Sequence, residues 1–153
     1  MKFLIASDIH GSAKYCEMLL TAYENEKCDK ILLLGDILYH GPRNDLPDNY
    51  APKKVIEMLN PYKDKLLCVR GNCDTEVDQM VLNFPILADY AVIPVGDRLL
   101  YATHGHKYNP QNLPPLSKGD ILINGHTHCK NLVFLLAGCE SNHGEETADH
   151  KHY

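Results

Sequence analysis

The most constraining feature of this sequence is a set of short apolar runs that each end abruptly in Gly, Asp, Asn or His. The first run begins at Phe3 and is apolar on successive positions, as buried strands of parallel sheets are. It is followed at once by Asp8 and His10. Further runs end in the same way. They lead into Gly35-Asp36, Gly71-Asn72-Cys73-Asp74, His104-Gly105-His106 and Gly125-His126-Thr127-His128.

The first half of the chain has the pattern of a strand–helix–strand unit. Residues 2–7 and 31–34 are predicted strands, and Ser12 can cap a helix between them through its hydroxyl. The crossover between two such strands should be right-handed. Apolar residues recur at helical spacing and predict the core-facing side of that helix: Tyr15, Met18, Leu19, Ala22 and Tyr23.

The rest of the chain alternates predicted elements with turns. Residues 35–49 form a loop long enough to be a lid or a wall of a substrate site. Pro52 predicts the first turn of a helix that turns Val55, Ile56 and Leu59 inward. Strands are predicted over 65–69, 120–124 and 132–137, a short helix over 75–82, and a hairpin of 90–95 and 98–103 around Gly96-Asp97.

These patterns predict an α/β fold in which helices flank a sheet whose second half is hairpin-like. They place one domain at residues 1–138 and a polar, acidic, disordered tail at residues 139–153. A chain of 153 residues is long enough to bury a core as a single domain.

Composition narrows the class of protein. The formal charge of −5 argues against a nucleic-acid or anionic-membrane surface, although bound dications would change the local sign. The six cysteines show no CxxC pair, which favours buried, reduced thiols over a disulfide scaffold. No apolar run is long enough to be a signal peptide or a membrane span, so we expect a cytoplasmic protein.

Polar side chains at several strand ends together predict a metal site. Each of them has a structural explanation when taken alone, since Asp and Asn are common turn residues and a lone His is more often structural. In open α/β sheets, however, sites assemble at the carboxyl ends of the strands. Asp and His are ligands for borderline divalent metals. The candidate ligands are Asp8, His10, Asp36, Asn72, His104, His126 and His128.

This number of ligands exceeds what one four-coordinate ion needs and predicts two ions. If Asp36 bridges, then Asp8, His10 and His128 complete one set, and Asn72, His104 and His126 complete the other. Two ions about 3.5–4 Å apart form a clamp for in-line displacement at phosphorus.

The five blocks, in this order, resemble the signature of the calcineurin-like metallophosphoesterase family, over residues 1 to about 130. Gly41-Pro42-Arg43-Asn44 and Thr103-His104-Gly105-His106 are similar to the small bacterial phosphodiesterases of that family. The resemblance implies a four-layer α/β/β/α sandwich and two divalent ions, with manganese as the usual metal and zinc, iron, nickel or magnesium as alternatives. The strands that normally close the sheet of this family after Gly-His-x-His have no clear counterpart here.

The resemblance implies a phosphodiesterase that attacks its substrate with a metal-bridging hydroxide. Asn72, His104 and Asp36 then serve both as ligands and in catalysis, and His106 is a candidate hydrogen-bond donor to the phosphoryl group. Cys73 stands where the wider family has His, the acid for the leaving group, and a thiol ionised by two dications would not donate a proton there. The alternative is that Cys73 is a small residue that only fills space.

Two further residues have open roles. Asp74 orients a ligand histidine or caps its turn, and Arg43 binds a phosphate or is a solvated loop residue. The expected partner is a small phosphodiester, with a homo-oligomer (dimer or tetramer) left open. The alternative functions are a phosphomonoesterase or protein phosphatase, and a non-catalytic scaffold with this fold.

Overall fold

The computed structural model describes residues 1–127 and the backbone of residues 135 and 136. Its elements, in chain order, are β1 (Phe3–Ala6), α1 (Ala13–Asn25), β2 (Lys30–Leu33), α2 (Pro52–Leu59), a 3₁₀ helix (Asn60–Lys65), β3 (Leu66–Cys68), α3 (Glu76–Gln79), β4 (Tyr90–Val95), β5 (Arg98–Thr103), β6 (Ile121–Asn124) and β7 (Leu135–Leu136). The predicted tail over 139–153 and most of the predicted strand over 132–137 lie outside the described residues.

The strands form two sheets rather than one. The first sheet has the order β1-β2-β3 and is parallel, and the second has the order β4-β5-β6-β7. In the second sheet only the β5–β6 pair is parallel. The single sheet predicted from the residue pattern was therefore wrong, because periodicity identifies strands but not their partners. The sandwich implied by the family resemblance agrees with the two sheets.

Two apolar clusters define three layers in the described part of the chain. Ile31 and Leu33 of β2 pack with residues of α1 and α2, such as Cys16 and Val55. Leu32, on the other side of β2, packs in a second cluster with residues of β5 and β6, namely Ala102 and Ile123. The order is therefore helices, first sheet, second sheet. The outer helical layer of a four-layer sandwich has no counterpart within residues 1–127.

Helix α1 begins as predicted but buries a different face. The Tyr15 backbone N–H donates to the Ser12 hydroxyl at 3.3 Å, which confirms the cap. However, Tyr15 is 48% exposed and Met18 is 42% exposed, so neither belongs to the core. The buried residues of the helix are Ala13, Cys16 and Tyr23, and Leu19 packs partly buried against the core, so Tyr23 and Leu19 of the predicted stripe do face it. The predicted apolar stripe omitted Cys16, and adjacent residues lie about 100° apart around a helix, so the true face is rotated from the predicted one.

Most of the remaining sequence predictions agree with the described elements. Pro52 lies in the first turn of α2, and the hairpin strands have the predicted bounds. Helix α3 is shorter than predicted. The loop between β2 and α2 contains no helix or strand and forms one isolated bridge with the rest of the chain, between Tyr50 and Ser12. Within the described residues, no helix is both long and apolar enough to cross a membrane.

Candidate metal centre

The predicted site residues follow strand ends that meet at one edge of the two sheets. Backbone hydrogen bonds continue the pairing past the strands: the Asp8 N–H donates to the Gly35 carbonyl at 3.0 Å, and the His10 N–H donates to the Asp36 carbonyl at 2.9 Å. In the second sheet the Gly125 N–H donates to the His104 carbonyl at 2.8 Å. The loops that carry the candidate ligands are thus held by their own backbones.

Several candidate ligands have a backbone conformation that L-residues rarely adopt. The φ angles are 59° at Asp8, 49° at His10, 55° at Asp36 and 73° at His126. Such conformations cost free energy and persist where the surrounding structure enforces them, often at functional sites. Their coincidence with residues chosen for their ligand chemistry supports a functional role for this edge.

The first cluster is formed by His10 and two carboxylates. Nδ1 of His10 lies 2.7 Å from the carbonyl oxygen of Tyr39, which can only accept, so Nδ1 carries the hydrogen. Nε2 then faces the acidic residues, at 3.5 Å from Asp8 Oδ1 and 3.7 Å from Asp36 Oδ2. In the neutral tautomer, a lone pair of His10 is directed at two carboxylates.

The second cluster has the same arrangement around His104. Its Nδ1 donates to the carbonyl oxygen of Leu34 at 2.6 Å. Its Nε2 lies 3.0 Å from Asn72 Oδ1, 3.1 Å from His126 Nδ1 and 3.3 Å from Asp36 Oδ2. Oxygen and nitrogen lone pairs therefore converge on one point from four side chains.

This donor set fits divalent cations. Acceptor atoms that face one another at these distances repel unless a proton or a cation lies between them. Asp36, His104 and His126 each offer a ligand atom within 4.8 Å of the others, and Asp36 also belongs to a second such group with His10 and Cys73. Imidazole nitrogen and carboxylate oxygen are ligands of zinc, manganese and related ions.

The structure brings six of the seven predicted ligands together, with Asp36 Oδ2 facing both clusters. His126 is held next to Asp8, because its backbone N–H donates to Asp8 Oδ2 at 3.0 Å. The seventh ligand, His128, lies outside the described residues, so its place in the site stays a prediction.

In the metal-free chain, the pKa values of Asp8 and Asp36 are lowered and those of His10 and His104 are raised. Burial raises the pKa of Asp8, but hydrogen bonds from His10 and from the His126 backbone outweigh it and lower the value to about 2. Burial also opposes ionisation of Asp36, yet contact with His104 lowers its pKa. Burial disfavours the charged forms of His10 and His104, but the neighbouring carboxylates raise both pKa values above 6.5.

Asp74 supports the ligand loops from behind. Its buried carboxylate accepts from the backbone N–H groups of Asp36 at 2.8 Å, Ile37 at 2.9 Å and Gly71 at 2.7 Å. Of the two roles left open for Asp74, these bonds support the turn cap, because all three partners are backbone groups. The bond to Gly71 is the predicted turn cap, and the other two bonds tie that turn to the loop of Asp36.

Cys73 was not among the predicted ligands, but it lies among the candidate metal ligands. Its backbone N–H donates to Asp36 Oδ1 at 2.8 Å, and its thiol is a potential ligand atom beside His10 and Asp36. Burial and the Asp36 charge raise the pKa of this thiol to about 12 in the metal-free chain. The thiolate suggested by the sequence is therefore absent without metal. A sequence signal for a ligand role was available, because Cys73 directly follows Asn72, which is itself a predicted ligand.

A polar cavity of about 370 Å³ opens onto the clusters. Arg43 and Asn44 of the long loop line it together with Asp36, Asn72 and His126. The loop thus forms a wall, one of the two roles predicted for it, and Arg43 belongs to that wall.

His106 lies beside the same group of rings. Its ring centre is 5.4 Å from that of His104 and 6.2 Å from that of His126. Its Nδ1 is buried and has no hydrogen-bond partner in the part of the chain that the structure describes. Burial, reinforced by the positive charges of His104 and Lys107, lowers the pKa of His106. The ring is therefore neutral at pH 7 and keeps one N–H to donate.

Known proteins share both the sequence and the fold. Residues 1–134 match the calcineurin-like phosphoesterase superfamily domain. The chain is 49% identical over 128 residues to proteins named phosphodiesterase YfcE from Escherichia coli K12 and O157:H7, covering 84% of this chain and 70% of theirs. A solved structure described as YfcE, a phosphoesterase from E. coli, matches with a TM-score of 0.82 over 84% of this chain and 70% of that one. The chain belongs to the calcineurin-like phosphoesterase superfamily.

Proposed function

We propose that this protein is a metal-dependent phosphodiesterase that hydrolyses a small phosphodiester. The main support is the convergence of His104 Nε2, Asn72 Oδ1, His126 Nδ1 and Asp36 Oδ2 beside a polar cavity. The relatives named phosphodiesterase, at 49% identity, support the same reaction.

The proposed ligand sets share Asp36. Asp8, His10 and His128 complete one set, and Asn72, His104 and His126 complete the other. Mixed carboxylate and imidazole ligands do not by themselves select one ion. We propose manganese because it is the metal that the family resemblance implies. When bound, two such ions would polarise the phosphoryl group and supply a hydroxide at neutral pH.

The charges of the site favour a diester over a monoester. Asp8 and Asp36 have lowered pKa values and are both ionised at pH 7, so they offset two of the four charges of a pair of divalent ions. A hydroxide and a phosphodiester monoanion would neutralise the rest. A monoester dianion would leave one excess negative charge.

We infer that two side chains lining the cavity, Arg43 and Asn72, hold the phosphoryl group together with His106, whose ring lies beside His104 and His126. The guanidinium of Arg43 can donate a bidentate pair of hydrogen bonds to phosphate oxygens. The amide nitrogen of Asn72 donates one N–H to the Cys73 thiol at 3.3 Å and has a second N–H for a phosphoryl oxygen, while the amide oxygen faces His104. The neutral ring of His106 offers a further N–H. Donors held in advance around the developing charge stabilise a transition state.

The test is an assay of the full chain, loaded with manganese, on bis(4-nitrophenyl) phosphate and on 4-nitrophenyl phosphate. We expect metal-dependent release of nitrophenolate and a higher kcat/KM for the diester. Asp36→Asn keeps the shape of the side chain but removes the shared charge, and it should abolish activity.

The alternative functions give different results in the same assay. A monoesterase would prefer 4-nitrophenyl phosphate, and a scaffold would hydrolyse neither ester at any metal concentration. Either result would overturn the proposal. The cytoplasmic location is also part of the proposal, and fractionation of the native host tests it.

A further inference from the structure

A second cavity, which we call the apolar cleft, lies next to the polar cavity. It has a volume of about 360 Å³. Aliphatic and aromatic side chains form most of its wall, with Thr75, Asp78 and Lys53 as its polar members. The main apolar residues are Leu38, Tyr39, Tyr50, Ile56, Val77 and Val81.

The apolar cleft adjoins the candidate metal centre. Cys73 lines both cavities, so the polar cavity and the apolar cleft meet at this residue. Tyr39 makes a second connection, because its carbonyl oxygen is hydrogen-bonded to His10 and the residue also lines the cleft. A substrate bound by its phosphate at the clusters would therefore carry one substituent towards the cleft.

Covering the walls of the apolar cleft would be energetically favourable, because several of their apolar residues are exposed to solvent. Val77 is 69% exposed to solvent, and Tyr39 and Val81 are also exposed. Covering apolar surface releases about 25 cal/mol for each Å² removed from water. The volume of the cleft is typical of a small-molecule site. A stable protein interface instead buries roughly 800 Å² on each partner, which is far more surface than one such cleft offers. A ring-sized substituent fits this space better than a protein segment does.

We propose that the apolar cleft binds an apolar substituent, an aryl group in preference to a methyl group, on the phosphodiester held at the metal centre. This proposal rests on the proposed function and narrows its substrate class. The cleft acts through binding, so it changes affinity for the organic group without requiring any change in the reaction itself.

Equilibrium binding to the manganese-loaded protein tests the proposal without requiring turnover. The probes are methyl phenylphosphonate and methyl methylphosphonate, which are both monoanions and differ in one substituent. Calorimetry should give a Kd at least about tenfold lower for the phenyl probe, from the apolar area of one ring. Equal Kd values would overturn the proposal.

Paired variants locate the effect. Val77→Asp places a charge in the cleft wall, and an acidic residue in the first turn is favourable for helix α3. Met80→Asp adds the same charge at a residue that is 83% exposed and does not line the cleft. We expect the phenyl preference to fall to less than threefold in Val77→Asp and to persist in Met80→Asp. An unchanged preference in Val77→Asp would contradict the proposal.

Two controls distinguish substituent binding in the cleft from dimerisation through it and from a lack of diesterase activity. Light scattering of Val77→Asp and of the parent should give the same mass; a smaller mass for the variant would show that a second copy covers the cleft and would overturn the proposal. Failure of the parent to hydrolyse any diester would refute the proposed function, whereas equal probe binding by an active enzyme would refute only the role of the cleft.

Discussion

The Nδ1–H of His104 donates to the carbonyl oxygen of Leu34 at 2.6 Å and so joins the loop ends of the two sheets. Because a carbonyl oxygen cannot donate, this bond directs the other ring nitrogen, Nε2, towards Asp36 at 3.3 Å. The Tyr39 carbonyl fixes the tautomer of His10 in the same way. A proton and a metal ion therefore compete for the same two nitrogens.

The first prediction is that metal binding reverses the pH dependence of stability. In the metal-free chain, His10 and His104 have pKa values raised above 6.5, so their stabilising contribution is complete below that value and is lost as pH rises through the raised pKa. Asp8, lowered from 3.8 to about 2, contributes stability above 3.8 that is lost as pH falls towards 2. The Tm of chelated protein should therefore be highest between about pH 4 and 6.5.

With manganese present, the Tm should instead rise from pH 6 to pH 8, because both imidazoles must lose their Nε2 protons before they can bind the ion. Thermal unfolding curves with excess manganese and with a chelator measure both trends. Parallel pH profiles in the two conditions would contradict the account.

The second prediction concerns close packing at Gly71. A Cβ added there would overlap Oδ1 of Asp36 and lie 2.7 Å from its Cγ. We expect Gly71→Ala to lower the free energy of unfolding by about 2 kcal/mol, as overpacking does, and to weaken metal binding by displacing Asp36. Gly96→Ala is the control, since nothing lies within 4 Å of an added Cβ there. Its φ of 64° should cost about 1 kcal/mol and leave metal binding unchanged. Equal metal affinities in the two variants would count against the role given to Gly71.

The third prediction is that Asp74 contributes more to stability than a surface aspartate that also accepts backbone hydrogen bonds. Asp74→Ala leaves three backbone N–H groups without their acceptor, so the free energy of unfolding should fall by about 3 kcal/mol or more. Asp78→Ala, which removes the exposed capping box of α3, should cost about 1 kcal/mol. Urea unfolding of the metal-free variants gives both values, and similar losses would refute the difference.

The fourth prediction is that hydrolysis depends steeply on the leaving group. Cys73 is a poor proton donor, because its pKa is about 12 without metal and a nearby dication would favour the thiolate. Among substituted phenyl esters of similar size, kcat should fall strongly as the pKa of the phenol rises. Alkyl esters should be cleaved far more slowly than aryl esters. A flat dependence of kcat on leaving-group pKa would show that another residue supplies the proton.

Some features of the fold and site could be predicted from sequence because they depend on local patterns. The hairpin could be predicted since Gly96-Asp97 supplies its turn between two strand-like runs. The candidate ligands could be selected because Asp, Asn and His each follow an apolar run. Their left-handed φ angles had a partial signal in the glycines beside them, as at Gly35-Asp36.

Other features depend on contacts between distant residues and had no local signal. Sheet membership of β4 and β5 is one example, because a hairpin pairs in the same way in either sheet. Another is Asp74, whose two most distant partners, Asp36 and Ile37, lie 38 and 37 residues away. The face of α1 was misassigned because Cys16, a small apolar residue, was not counted as core.

The central claim is that two cations share Asp36, and a metal count on purified protein tests it most directly. Plasma mass spectrometry after manganese loading and gel filtration should give two ions per chain for the parent, and fewer than one for Asp36→Asn, because that change removes the charge common to both sets. One ion per chain in the parent, or two ions retained by Asp36→Asn, would contradict the account.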